Sequence, residues 1–443
     1  MPPVSPARVL VWSRERLSRA AYVLTAQLLY WLAALWRRRL ARTTFVAVTG
    51  THAKTTTKEI LAAALAARGP TFRSAANENT GLPLTRNVLR VRPWHRYAVI
   101  EIGVGRPGEM RRLARLVHPD VAVILAVLHT HTRAFGDQAS HAREKAALLA
   151  ALHSGGVAVL NADDPLVAAM AEGFRGTVVR SGTSPAFDVW ADGASSRWPG
   201  RLEFDLHTLD GVSLRVRTRL VGAHWCTSVT AALAAARTAG VPLDHAVAAV
   251  ASVEPAPGRL QPMLLPSGAV VLRDDYDGSF DAFAAGLQAL AEACDARRVA
   301  VIADASDYGS TARRRRVRGL GREVAAAADV AVFVGEAAAF GRRGALEAGM
   351  APGNVHAFAA LPDAASFLAE TLRAGDLVLL KGRVSDHLAR LYFAQLGAVG
   401  CWKEHCPKVI LCDECPELGV AAATRARAAP APVERAPGGR LDP

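Results

Sequence analysis

The sequence predicts an α/β protein, built as a doubly wound, mostly parallel sheet around a phosphate-binding P-loop and continued by a second α/β unit. Three observations carry this expectation. A buried-strand pattern, Phe45 to Val48, runs through a tight turn into Lys54-Thr55 and then a helical run, Glu59 to Ala67. Strand, turn, Lys-Thr and helix is the layout that offers helix N-terminal N–H groups to phosphate oxygens. Downstream, short apolar runs alternate with Ala/Leu-rich helical stretches, which implies parallel strands joined by helical crossovers. The same alternation resumes after a Pro-rich stretch, Val253 to Pro257, which reads as a domain boundary. A chain of 443 residues has room for two or three domains, and 51% hydrophobic with 21% charged residues suits units with sizeable cores.

Residues 1–42 read as a hydrophobic and basic N-terminal helical segment. Ala20 to Trp36 holds seventeen residues without charge, among them Tyr22, Tyr30, Trp31 and Trp36. Arg14, Arg16 and Arg19 precede it and Arg37, Arg38 and Arg39 follow it. A membrane span needs about 20 apolar residues, so this run is short for one. Three arrangements suit it: a segment lying against the inner membrane face through residues 14–39, a helix docked on the protein's own core or on a partner, and a true span.

The P-loop comes next. Gly50, Thr51, Lys54, Thr55 and Thr56 are the expected nucleotide-binding residues. Lys54 is placed to reach the β- and γ-phosphates of ATP, and the Thr55 hydroxyl to hold Mg²⁺. The usual second glycine is Ala53 here, whose Cβ crowds a turn that normally brings backbone close to phosphate.

Further strands are expected at Tyr97 to Ile102, Val121 to Val127, Val157 to Leu160 and Val178 to Val179. Residues 186–222 alternate with turn residues between, as antiparallel strands do, and Thr227 to Ala239 is a helix ended by Gly240. Together these define a domain over residues 43–255. A second α/β domain covers 256–398, with strands at Ala269 to Leu272, Arg298 to Ile302, Val330 to Val334, Asn354 to Ala359 and Asp376 to Leu380. Helices at 281–294, 313–327 and 364–373 separate them. The tail, 417–443, has no periodicity and is expected to be disordered.

The formal net charge is +13. Nucleic acid is not the expected partner, because the arginines are scattered, aromatics are only 6%, and no zinc-finger, RRM or helix-turn-helix pattern appears. A basic chain equally suits nucleotides, acidic peptides and anionic lipid. Of six cysteines, Cys226 and Cys294 sit alone in core-like stretches. The other four form Cys401-x4-Cys406-x5-Cys412-x2-Cys415 within residues 399–416. Four thiolates at such spacing suit one tetrahedral Zn²⁺, with His405 as a substitute ligand; a redox pair and unpaired thiols are the alternatives. Nothing resembles a cleavable secretory signal, and free thiols in a nucleotide-using chain point to the cytoplasm.

Thr49-Gly50-Thr51-x-x-Lys54-Thr55-Thr56-Thr57-Lys58-Glu59 resembles the nucleotide loop of the Mur ligase family, and five further segments follow in that family's order. They are Asn77-Glu78-Asn79-Thr80-Gly81-Leu82-Pro83-Leu84-Thr85; Glu101-Ile102-Gly103 with Pro107-Gly108-Glu109; His131 with Phe135-Gly136 and Lys145; Leu160-Asn161-Ala162-Asp163-Asp164-Pro165; and Pro257-Gly258-Arg259 with Asp274-Asp275-Tyr276. The resemblance spans about residues 43 to 395 and is closest to the branch that joins D-alanyl-D-alanine to UDP-N-acetylmuramoyl-tripeptide. With only 42 residues ahead of the first domain, that branch's N-terminal UDP-sugar domain is expected to be lacking. In this respect the arrangement is nearer to poly-γ-glutamate synthetases.

The resemblance implies a P-loop ATPase domain followed by a Rossmann-like domain. It also implies ATP-dependent joining of a carboxylate to an amine through an acyl phosphate, releasing ADP. Thr55, Glu101, His131 and Lys145 are the implied Mg²⁺ set, with Lys145 carbamylated, His129 a competitor for the role of His131, and Lys54, Lys145 and His131 catalytic. His224, Arg259 and Asp274 are implied nucleotide contacts, and the Lys381-Gly382 loop is implied to face substrate. Departures are Trp225 and Ser228 near the adenine position, Arg273 before Asp274, and Arg383-Val384 after Gly382. The alternatives are a poly-γ-glutamate-like or peptide-tailoring ligase, and a nucleotide-binding scaffold subunit with impaired catalysis.

Overall fold

A computed structural model describes residues 6–128, 135–305, 310–404, 406–408 and 410–420, with side chains from residue 23 onward and, for 310–312, backbone only. It falls into two compact units, Met1–Ser181 with Ala231–Ala246, and Gly182–Thr230 with Val247–Pro443. The chain passes from one to the other at Ser181/Gly182, within a helix at Thr230/Ala231, and at Ala246/Val247, shortly before the Pro-rich stretch.

The first unit opens with α1 (Pro6–Arg39). Six parallel strands follow: β1 (Thr44–Thr49), β2 (Thr71–Arg73), β3 (Tyr97–Glu101), β4 (Val121–Ile124), β5 (Val157–Asn161) and β6 (Thr177–Gly182). Their order in the sheet is β2-β3-β1-β4-β5-β6. β1, β3 and β4 are apolar and almost wholly buried, as strands covered on both faces are. β4 ends at Ile124, earlier than the apolar run to Val127 suggested, and β2 carried no strand signal of its own. The connecting helices are α2 (Lys54–Ala66), α3 (Gly81–Arg90), α4 (Glu109–Val117) and α5 (Gln138–Ala146). Because β1 lies between β3 and β4, the chain reverses its direction of travel across the sheet there, and a crevice at the strand C-termini is where open α/β sheets bind ligands.

Helix α1 docks on this unit through one face only. Ala33 and Leu40 are buried, and the Trp36 indole donates to Val91 O at 2.9 Å. Arg37 donates to Val117 O and His118 O, both at 2.7 Å, and its guanidinium lies 3.8 Å from the Phe45 ring centroid. Leu24, Leu28, Trp31, Leu32 and Leu35 fall on the opposite face at helical spacing and are exposed, Trp31 at 66%. So one face of α1 is docked on the protein's own core, as one of the three expected arrangements had it, while the opposite apolar face stays open. Among the described residues no helix is long and apolar enough to cross a membrane.

In the second unit, β7 (Val189–Ser195), β8 (Glu203–Thr208) and β9 (Ser213–Arg217) form the expected antiparallel meander. A separate sheet has the order β10-β11-β15-β12-β13-β14, from β10 (Gln261–Leu264), β11 (Val270–Asp274), β12 (Arg297–Ile302), β13 (Val330–Val334), β14 (Val355–Phe358) and β15 (Asp376–Lys381). All its pairs are parallel except β10 with β11. β10 was not foreseen, since Pro262 argues against a strand; it is tolerated because β10 is an edge.

Two expectations are corrected here. Cys226 is buried as expected, but Cys294 is exposed, because it follows the end of the helix Phe280–Ala291 instead of lying within it. The tail does not start at 417: Leu418 and Val420 are buried in the same core as Tyr392 and Phe393, while residues 421–443 lie outside the described residues.

Candidate active site

The P-loop forms where β1 feeds α2. Gly50 is required by close approach, since a Cβ there would stand 2.9 Å from Leu125 Cβ. Ala53 precedes α2 with φ 64° and ψ −4°, the left-handed turn that a glycine would hold without strain. Lys54 donates to Gly50 O at 3.0 Å and to Thr51 O at 2.9 Å, so the loop cradles its own lysine. The Thr51 N–H donates to Ala126 O, and the Thr51 hydroxyl accepts from Leu128 N–H. These bonds tie the loop to the exit of β4. Asp164 helps to fix that exit by accepting from Val127 N–H at 2.6 Å, which gives the Asn161-to-Pro165 segment a physical role.

Glu101 ends β3, in register with Val48 of β1, and is buried. Its Oε2 accepts from the Thr55 hydroxyl at 2.9 Å and its Oε1 from Asn79 Nδ2 at 2.7 Å. Asn79 is itself seated against Gly103, where a Cβ would meet its Oδ1 at 2.6 Å. Three sequence segments thus close on one carboxylate. Lys58, one helical turn beyond Lys54, is fully buried, with Nζ 3.8 Å from Glu101 Oε2 and bonds to Ser74 O and Ala76 O. Burial pushes its pKa down to about 8, against the opposing pull of Glu101. Neither Asn79 nor Lys58 was singled out as a site residue; the i, i+4 spacing of Lys54 and Lys58 was the available signal.

Lys145, on α5, is also buried and donates to Gly50 O at 3.0 Å, the same oxygen that Lys54 uses. Burial, and then the charge of Lys54, hold its pKa well below the usual lysine range. Asp137 caps α5 by accepting from Ser140 N–H at 2.6 Å, and Glu144 accepts from Gly108 N–H and Met110 N–H at the start of α4. The sequence-expected set Gly50, Thr51, Lys54, Thr55, Glu101 and Lys145 is therefore gathered in one place. Thr56 is buried in α2, its hydroxyl without a hydrogen-bond partner among the described residues. His129, His131 and His405 lie outside the described residues. The hard oxygens of Thr55 and Glu101, 2.9 Å apart beside the phosphate loop, fit Mg²⁺, which keeps water and phosphate oxygens for most of its shell.

The second unit holds its own polar cluster at strand ends. Asp274 and Lys381 face each other on adjacent parallel strands and pair at 2.7 Å. Both are buried, and the Lys381 Nζ also donates to Asp277 O. Burial raises the Asp274 pKa more than Lys381 lowers it. Arg259 lies 3.3 Å from Asp277 and over the Tyr276 ring. His224 is exposed and packs its ring 4.6 Å from that of Trp225, which is buried.

Two of the departures acquire reasons. Arg273 is buried and pairs with Asp275 at 3.0 Å and with Asp413 at 2.5 Å. Burial opposes its charge, yet the two carboxylates outweigh burial and raise its pKa. Arg383 pairs with Asp386 at 2.6 Å and Asp304 at 3.2 Å.

Residues 48–236 match the Mur ligase middle domain, and residues 258–384 match the Mur ligase glutamate ligase domain. The chain belongs to the Mur ligase family. It is 34% identical over 249 residues to the UDP-N-acetylmuramoyl-tripeptide–D-alanyl-D-alanine ligase of Mycobacterium bovis, covering 56% of this chain and 49% of that one. To the Escherichia coli ligase of the same name it is 32% identical over 279 residues, covering 62% and 61%. The chain thus spans about half the length of the mycobacterial relative. Among solved structures, a crystal structure of MurF from Acinetobacter baumannii superposes with a TM-score of 0.76 at 28% identity, over 83% of this chain and 80% of that one. MurF ligase from Thermotoga maritima in complex with ADP shares the fold at TM-score 0.72 and 23% identity, over 84% and 83%.

Proposed function

We propose that this Mur ligase is an ATP-dependent carboxylate–amine ligase that works through an acyl phosphate. A carboxylate oxygen attacks the γ-phosphorus and ADP leaves; the amine then attacks the acyl carbon, loses a proton, and phosphate leaves. The first step brings two anions together, so fixed cations must precede it. Lys54 supplies one at the loop. Bound Mg²⁺ would neutralise phosphate charge beside Thr55 and Glu101, and His131 is assigned to the same ion by family resemblance. Lys145 serves best as a carbamate: burial and the charge of Lys54 hold its pKa well below the usual lysine range, which favours the neutral amine that takes up CO₂ and becomes an anion. The nucleotide roles implied for His224, Arg259 and Asp274 belong to the same proposal. The convergence of Thr55, Asn79 and Lys58 on the buried Glu101 carries this reading, because a buried carboxylate set beside a P-loop hydroxyl is a cation site in waiting.

The acid and amine to test first are those in the names of the relatives, UDP-N-acetylmuramoyl-tripeptide and D-alanyl-D-alanine. γ-Glutamyl acceptors come next. ADP release that requires both an acid and an amine supports the ligase. ATP binding with no ADP from any pair would leave the scaffold reading.

We also infer that α1 rests on an anionic membrane face, which places the protein at the inner surface of the cytoplasmic membrane. The exposed stripe from Leu24 to Leu35 ends in exposed Arg38 and Arg39. Exposed Arg86 and Arg90 of α3, and Arg111, Arg112 and Arg115 of α4, lie on the two helices that α1 packs against, and Arg112 sits over the Tyr30 ring. An apolar stripe that ends in arginines, on a unit with further exposed arginines on the neighbouring helices, suits lipid headgroups and the acyl boundary beneath them.

A further inference from the structure

The last four cysteines take no part in the proposed ligation, and their surroundings differ from those of the other thiols. Cys401, Cys406, Cys412 and Cys415 all line a single cavity of about 10 Å³, room for one ion- or water-sized body. Cys401, Cys412 and Cys415 are buried. A tight turn, Cys412–Glu414, brings Cys415 N–H within 3.0 Å of Cys412 O. His387, Arg390 and Lys408 line the same cavity. His387 Nδ1 lies 3.3 Å from Cys412 Sγ, while its Nε2 is buried without a hydrogen-bond partner among the described residues. Lys408 Nζ donates to Cys415 Sγ at 3.4 Å.

We propose that Cys401, Cys406, Cys412 and Cys415 hold one structural Zn²⁺, with His387 bonded to the Cys412 sulfur and not to the metal. Four thiolates around a divalent ion leave two negative charges; Arg390 and Lys408 line the same cavity, where Lys408 also pairs with Glu417 at 3.2 Å, so Arg390 is the cation most available to offset them. Small polar side chains or water would not call for four sulfurs in so small a space. Among the described residues no three His, Cys, Asp or Glu side chains already stand in a metal-holding arrangement. Binding therefore draws the sulfurs inward by side-chain rotation, to about 2.3 Å from the ion, as each loses its proton.

The site has a structural consequence within its own unit. Asp413 lies inside the Cys412-to-Cys415 turn and is a counter-ion of buried Arg273, the neighbour of Asp274 in β11. Cys412, Leu418 and Val420 share a core with Tyr392 and Phe393, and Trp402 packs against it. A zinc clamp would hold Asp413 on Arg273 and the segment on that core. Loss of the ion would free the turn and leave Arg273 with Asp275 alone.

The test uses the full chain, expressed in zinc-supplemented medium and purified without chelator. Elemental analysis should find about one zinc per chain, and replacement by Co²⁺ should give the intense sulfur-to-cobalt absorption and the visible bands of a tetrahedral tetrathiolate site. Cys412→Ser and Cys415→Ser should lose the ion and unfold several degrees lower, whereas His387→Gln should keep it. Wild-type protein with no zinc and no cobalt spectrum would overturn the proposal, as would a Cys412–Cys415 disulfide found by mass spectrometry. Zinc lost in His387→Gln but kept in Cys401→Ser would overturn the four-thiolate set. If the cysteine variants do not fold, the cobalt spectrum of the wild-type chain decides the matter alone.

Discussion

Ala53 holds a left-handed backbone conformation in a turn where glycine is usual, and the cost falls on folding. Replacing it with glycine removes the Cβ strain, about 1 to 2 kcal/mol, but gives the unfolded chain more freedom. Ala53→Gly should therefore stabilise the protein by about 0.5 to 1 kcal/mol in urea denaturation. A loss of stability would mean that the loop is not strained as described. Lys145 gives a second test. Because burial and the charge of Lys54 hold its pKa well below the ordinary value, the neutral amine is favoured over a wider pH range than for a free lysine, and a carbamate should form on it and be lost as pH falls. Protein in ¹³C-bicarbonate should show a carbamate resonance that is missing in Lys145→Ala. That variant should lose most activity, with partial rescue by short carboxylic acids. An active wild-type enzyme without the resonance would refute the carbamate.

At the scale of elements, α1 faces two ways, and its test must separate them. Deleting it removes the packing of Ala33 and Trp36 along with the exposed stripe, so loss of membrane binding would then be confounded by damage to the fold. Leu28→Glu with Trp31→Glu alters only the exposed face. The pair should abolish flotation with vesicles containing anionic lipid and leave the melting temperature nearly unchanged. Equal flotation of both proteins would refute lipid binding, and a change in oligomeric state instead would assign the stripe to a second copy of the chain. Strand β11 offers another test. Arg273→Ala strands buried Asp275, and breaking a buried pair typically costs about 3 to 5 kcal/mol. A loss of less than about 1 kcal/mol in denaturant would show that Arg273 is dispensable. This pairing was not legible in the sequence, because Arg273 and Asp413 stand 140 residues apart in two segments whose motifs point to different chemistry. The P-loop was legible, because phosphate chemistry fixes residue types at short spacings; Glu101 lay at the end of an apolar strand, but its metal role and that of Lys145 came only from the family resemblance. The pairing of Lys381 with Asp274 was not legible either, because only the strand order sets the two opposite each other.

At the scale of the molecule, both α/β units were foreseen from alternating strand and helix patterns, while the contact boundary, which returns residues 231–246 to the first unit, depends on packing between distant segments. The central claim is that the first unit's P-loop and its buried Glu101 serve acyl phosphate chemistry. Coupled measurement of ADP from ATP, Mg²⁺, UDP-N-acetylmuramoyl-tripeptide and D-alanyl-D-alanine, or a γ-glutamyl pair, tests this most directly. ADP should appear only when an acid and an amine are both present, with one amide formed per ADP. Lys54→Ala, folded as the wild type is, should reduce the rate by at least about 1,000-fold. ADP release indifferent to acid and amine, or a folded Lys54→Ala enzyme at the wild-type rate, would contradict the account.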